Sequence, residues 1–205
     1  MPMQRSTAQF IADHRVAKKP TSEPFRQALF GAWASLAPEA RPSRNADGSL
    51  KSCFLKRDFK YLPRDRFELM SIRFADALGA TPLCKILIKG QLFWRGGHPI
   101  APGAQKVDLH ADDAYEVTPL HVAFANLLNH VARSGYDEWR VAAMQSVFGK
   151  SFAPFGLEAG KDFIEFDLLY LKQGMLFWGA RHIDGRDFDS EENRPTNLQT
   201  PLVRR

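Results

Sequence analysis

The chain has 205 residues, 44% of them hydrophobic, with 16 phenylalanines and a formal charge of +5. That length buries a sizeable core without metals or disulfides, that apolar content excludes a globally disordered chain, and no apolar run approaches the roughly 20 residues of a bilayer-spanning helix. The basic surplus lies in the first 60 residues (Arg15, Lys18, Lys19, Arg41, Arg44, Lys51, Lys56, Arg57, Lys60), but no zinc spacing, glycine-rich clamp or heptad-bearing basic helix makes it a nucleic-acid reader.

Residues 1–21 lack a sustained period and are expected to be a loosely ordered segment. His14, Arg15, Lys18 and Lys19 fall where the apolar part of a secretory signal would lie, so none is read there. Ser22 caps an expected helix over 22–37 with the face Phe25, Leu29, Trp33 and Leu36, ended by Pro38. A loop with a turn at Asp47-Gly48 precedes a strand over 51–62 that carries Phe54, Leu55, Phe59 and Tyr61. The segment from Pro63 to Leu78 would tolerate a strand, but Phe67, Met70, Phe74 and Leu78 recur at helical spacing and favour a helix.

Branched and aromatic residues make 83–95 a strand, broken by Arg95-Gly96-Gly97-His98-Pro99. Residues 106–117 are expected to hold a short strand at most, with an acidic patch at Asp108, Asp112, Asp113 and Glu116. Thr118, Pro119 and Gly135 frame a helix whose stripe is Leu120, Phe124, Leu127, Leu128 and Val131. A second helix is expected over 137–148, burying Trp139, Ala143 and Val147. Phe163–Leu171 and Met175–Ile183 form a hairpin about Lys172-Gln173-Gly174, which sets Leu171 opposite Met175 and Glu165 opposite Arg181. Residues 184–205 lack apolar periodicity and are expected to be a tail, acidic then basic, although Leu198, Leu202 and Val203 would let it wrap over the domain. Gly90-Gln91-Leu92-Phe93-Trp94 and Gly174-Met175-Leu176-Phe177-Trp178 share the pattern Gly-x-Leu-Phe-Trp, which fits similar strands in one curved sheet.

The chemically usable side chains concentrate on the terminal hairpin. Ile164, Phe166, Leu168 and Tyr170 make a core face, leaving Glu165, Asp167 and Leu169 with Arg181 on the other. That second face is either the wet side of the sheet or the wall of a pocket, where desolvation raises a carboxylate pKa toward proton transfer. His182 follows at a strand end, and His98 sits in a glycine loop that suits a tight turn or a ligand contact. Trp94 and Trp178 can stack on a flat ligand, and Arg95 can anchor an anion. His121 and His130 fall on nearly opposite faces of one expected helix, no H-E-x-x-H or C-x-x-C occurs, and no metal site is expected. Phosphate loops and serine elbows are missing too. Cys53 and Cys84 read as reduced thiols of a reducing compartment, hence a cytoplasmic protein.

The expected architecture is α+β: a curved antiparallel sheet from 51–62, 83–95 and 162–183, packed against several helices, with room for an internal cavity, in one domain over 22–183. The expected function is binding, or metal-free acid/base conversion, of a small anionic or aromatic metabolite. Glu165, Asp167 and His182 would be catalytic, and Trp94, Arg95, His98, Trp178 and Arg181 would hold the ligand, without a cofactor. A homo-oligomer is compatible with this, while membrane and nucleic-acid partners are not expected. The rival expectation is an interaction or structural protein that docks through its basic amino-terminal region and acidic tail.

Overall fold

Alternation along the strands decides the architecture. In β3 (Leu50–Leu62), Leu55, Arg57, Phe59 and Tyr61 are buried while Lys56 and Lys60 are exposed, a period of two with one face turned inward. The register carries that face across β4 (Arg66–Phe74), where Phe67, Leu69 and Ser71 oppose Tyr61, Phe59 and Arg57. It continues through β5 (Pro82–Gly97), where Ile88 and Ile86 oppose Leu69 and Ser71. Next come β6 (Gln105–Pro119), β8 (Phe163–Lys172) and β9 (Met175–Trp178), each antiparallel to the one before.

Closure comes from the two ends of the chain. The short β10 (Leu202–Arg204) pairs with β9 and with β1 (Gly31–Ser35), and β1 pairs with β3. The order β3-β4-β5-β6-β8-β9-β10-β1 therefore returns to β3, a curved antiparallel sheet closed into a barrel. The structure, a computed structural model, describes residues 23–44, 47–132 and 134–205. The expected loose segment over 1–21 and the Ser22 cap lie outside the described residues. Two helices pack on the sheet, α1 (Glu23–Leu29) and α2 (Val122–Val131), so the α+β class holds. β2 (Glu39–Arg44) pairs with the first half of β3, and β7 (Gln145–Ser146) lies along β6.

Several expectations are corrected. The helix over 22–37 stops at Leu29, and Gly31–Ser35 is strand, because pairing to both β3 and β10 outweighs the helical spacing. Trp33 is still drawn to the helix, donating its indole N–H to the Leu29 carbonyl at 2.7 Å. Residues 66–74 are strand rather than helix, since Arg64 and Asp65, at φ 63° and 58°, turn the chain straight back along β3. Residues 105–119 form a full strand, whose bulge at Asp112 and Asp113 is covered by Arg66, 2.7 Å from Asp112. Thr118 and Pro119 end that strand, and His121 caps α2, its Nδ1 accepting from the Ala123 N–H.

The second expected helix, 137–148, does not form. The Asn129 amide grips both backbone groups of Trp139 at 2.8 Å and holds that segment as a loop, with Trp139 and Val147 buried as expected. The hairpin register is shifted by one: Lys172 opposes Met175, Gln173 and Gly174 both take positive φ in a two-residue turn, and β9 ends at Trp178. Glu165 therefore opposes Leu109 of β6 rather than Arg181. Residues 184–205 wrap over the barrel and complete it. Phe188 and Leu202 are buried, and the Arg194 guanidinium reaches the Val107 carbonyl and Asp108 Oδ1, each at 2.7 Å.

Candidate functional site

The two ends of the barrel differ. Around β1, Leu29, Trp33, Phe67, Leu92, Leu176 and Leu202 fill the lumen. Arg204 donates to the Ala28 and Phe30 carbonyls at the end of α1 and sits 4.5 Å from the Trp33 ring. The other end is hollow, with a cavity of about 650 Å³. Its floor is Phe59 stacked on Trp178 at 4.6 Å, and aromatic rings from Tyr115, Phe155 and Phe188 complete the apolar wall.

Arginines occupy inward positions of that wall. Arg57 stands in phase with Leu55 and Phe59, and Arg73 in phase with Leu69 and Ser71, so strand alternation turns both guanidiniums into the lumen. Arg41 enters from β2, and Arg181 from the segment after β9. Arg57 is matched by Glu39 at 2.8 Å, both side chains almost fully buried. Arg73 lies 4.1 Å from the Phe155 ring, and Arg41 and Arg181 flank Phe188 at 5.5 and 5.4 Å. Arg181 also bonds the Arg186 carbonyl and the Asp187 carboxylate.

These charges are incompletely satisfied. The Nε atoms of Arg57, Arg73 and Arg181 are buried and have no hydrogen-bond partner. Leaving a buried donor unpaired costs about 1–3 kcal/mol. Burial, with Arg41 and Arg73 nearby, lowers the Arg181 pKa. Burial also opposes the charge of Arg41, yet Glu165, Glu39 and Asp167 outweigh it and raise that guanidinium.

The two hairpin carboxylates differ. Glu165 lines the cavity. Asp167 is buried beyond it, its Oδ1 accepting from the Leu168 and Gly179 N–H groups at 2.7 and 3.0 Å. A Cβ at Gly179 would lie 2.3 Å from that oxygen, so only glycine permits the approach. Burial, then the charge of Glu165, pushes Asp167 up to about 7 against the opposing pull of the Leu168 amide, Arg57 and Arg41.

Of the residues singled out by sequence, Glu165, Trp178 and Arg181 meet at the cavity, with Asp167 beside them. The others lie elsewhere. Trp94 donates to Asp65 at 2.9 Å near α1, edge-on to Phe25. Arg95 pairs with Asp108 and is half-exposed. His98 is buried in its turn, its Nδ1 accepting from the Ile100 N–H, and burial with Lys106 and Arg194 lowers its pKa. His182 Nε2 contacts the Asn193 carbonyl at 2.9 Å. Sequence reasoning missed Arg41, Arg57 and Arg73. The available signal was an arginine in phase with the apolar residues of its strand.

Among the described residues no three His, Cys, Asp or Glu side chains converge to hold a metal ion, and no helix is long and apolar enough to cross a membrane. Fold and site together define a closed antiparallel barrel with an arginine-rich, aromatic-walled cavity at one end. No protein-family model matches the chain, and no curated protein matches it.

Proposed function

We propose that the barrel cavity binds a small anionic metabolite with an aromatic or apolar body. Arg73, Arg181 and Arg41 take the anion, and Trp178, Phe188 and Tyr115 pack the body. The observation that carries this reading is that Arg41, Arg57, Arg73 and Arg181 all line one cavity, with Arg73 and Arg181 incompletely hydrogen-bonded. An anionic oxygen at these guanidiniums would gain charge-assisted hydrogen bonds. A volume of about 650 Å³ lies within the range of small-molecule sites.

Metal-free acid/base conversion is the second reading, favoured by a carboxyl group poised at about 7 beside the cavity. The rival docking role is weakened because carboxylates of the acidic stretch are engaged within the chain: Asp187 with Arg181, and Glu191 with Lys106 and Arg194.

Fluorescence titration tests the proposal with two probes of similar shape, anionic 1-anilinonaphthalene-8-sulfonate and neutral N-phenyl-1-naphthylamine. The sulfonate is expected to bind at one site, and Arg73→Ala to weaken it about tenfold while leaving the neutral probe unchanged. Equal weakening of both probes, or no change in either, contradicts the assignment.

A further inference from the structure

Two of the cavity's arginines are ion-paired, and in opposite ways. Arg57 and Glu39 pair at 2.8 Å with both side chains almost fully buried, and each stands on a strand of the barrel. Arg181 and Asp187 both lie outside the strands, and the Asp187 side chain is 75% exposed against 16% for Arg181. A single nitrogen, Nη1 of Arg181, meets both the Asp187 carboxylate and the Arg186 carbonyl. Of the carboxylates that favour the charged form of Arg181, Asp187 acts more strongly than Glu165.

The topology shows why this second pair can exchange. At the closed end β9, β10 and β1 connect β8 to β3. At the hollow end residues 163–168 pair with β6 alone and β2 pairs with β3 alone, so segment 184–189 crosses between two free strand edges. Phe188 pins that segment on both sides. Its carbonyl accepts from the Phe166 N–H of β8 at 2.7 Å, and its buried ring lies 5.5 Å from the Arg41 guanidinium of β2. Asp187, one residue before the pin, faces solvent. Its side chain can swing away while Phe188 keeps the segment in place.

Arg181 cannot give a ligand's anion its full hydrogen bonding while Asp187 occupies it. Resting on the anion-binding reading, we propose that Asp187 is a built-in competitor for the anion site: its carboxylate caps Arg181 when no ligand is bound and swings out when the ligand's anion takes its place. A carboxylate, sulfonate or phosphate shared between Arg181 and a second cavity arginine gains more charge-assisted hydrogen bonds than the Asp187 contact loses. The tether at Phe188 keeps the displaced carboxylate at high effective concentration, so it returns as the ligand leaves. Asp187 thereby sets how strong an anion must be to enter, and a neutral ligand does not meet this competition.

The test is fluorescence titration of the full chain with 1-anilinonaphthalene-8-sulfonate, with neutral N-phenyl-1-naphthylamine as the control probe. Because an exposed ion pair is weak, Asp187→Asn is expected to tighten sulfonate binding about threefold and to leave the neutral probe unchanged. Asp189→Asn removes the same charge from the same cavity lining without touching Arg181, and is expected to change neither probe. In an Arg181→Ala background, checked for folding by circular dichroism, Asp187→Asn is expected to add nothing, which marks an effect carried through Arg181. Should Arg181→Ala not fold, the Asp187 and Asp189 comparison decides alone. The proposal is overturned if Asp187→Asn fails to tighten sulfonate binding, if Asp189→Asn tightens it as much, or if the gain persists without Arg181. Each of those results leaves the anion site standing, whereas failure of the sulfonate to bind either the unsubstituted protein or Asp187→Asn removes both readings.

Discussion

The two ends of one barrel are built from the same strands and do opposite things. Along β3 and β4, Tyr61 and Phe67 pack toward the end closed by α1, and Phe59 and Leu69 mark the border with the cavity. Beyond them in phase the inward residues become Arg57, Ser71 and then Arg73, and the lumen opens. Strand geometry is common to both ends, so the difference lies in which side chains the inward positions carry. The filled end supplies packing that offsets the cost of unpaired guanidiniums at the hollow one, a division expected where function departs from what stability alone would select.

Substitutions at the two ends should therefore separate. The largest effect is expected from Trp33→Ala, which empties a fully buried site beneath α1 and should cost about 3–5 kcal/mol in urea denaturation. A loss under about 1 kcal/mol would mean that the closed end does not carry the fold.

Next comes Asp167. Its folded pKa, about 7, stands above the ordinary carboxyl value of 3.8, so the folded state holds a proton that the unfolded chain has released. Stability should fall as pH rises from about 4 through about 7, and the full penalty, on the order of a few kcal/mol, should persist above that. Asp167→Asn, whose side-chain oxygen can still accept from the two amides, should raise the melting temperature more at pH 8 than at pH 4. An equal shift at both values would sink that account.

The smallest effect is expected at Arg95, whose half-exposed pair with Asp108 lies outside the cavity. Arg95→Ala should change stability by at most about 1 kcal/mol and leave sulfonate-probe affinity unaltered. A tenfold loss of affinity would return Arg95 to the site.

Strands β3, β5 and β8 and the terminal turn were legible in the sequence, because long runs of branched and aromatic residues leave few alternatives. The Gly-x-Leu-Phe-Trp echo also has a structural basis. Leu92 and Leu176 are both buried in the lumen, whereas Gly90 lies inside β5 and Gly174 forms a turn. What failed was the inference from apolar spacing to helix at Phe25, Leu29 and Trp33 and at Phe67, Met70 and Phe74. Short windows satisfy both periods, and only long-range pairing decides between them.

The hairpin face was inverted for a related reason. Ile164, Phe166 and Leu168 look like a core face, but they point outward under the carboxy-terminal wrap, where the Phe166 N–H meets the Phe188 carbonyl and Arg194 lies 5.5 Å from the Phe166 ring. The inward face is Glu165, Asp167 and Leu169. Glu165 and Arg181 both line the cavity, but not as cross-strand neighbours. The inward arginines were hidden because strand reading assigns charge to water, and a lumen that keeps a cavity breaks that rule.

A crystal structure of the protein with bound 1-anilinonaphthalene-8-sulfonate tests the central claim most directly. The sulfonate oxygens are expected within hydrogen-bond distance of the Arg73 and Arg181 guanidiniums, with the naphthalene ring against Trp178 or Phe188. Probe density on the outer surface, with the lumen arginines untouched, would contradict it.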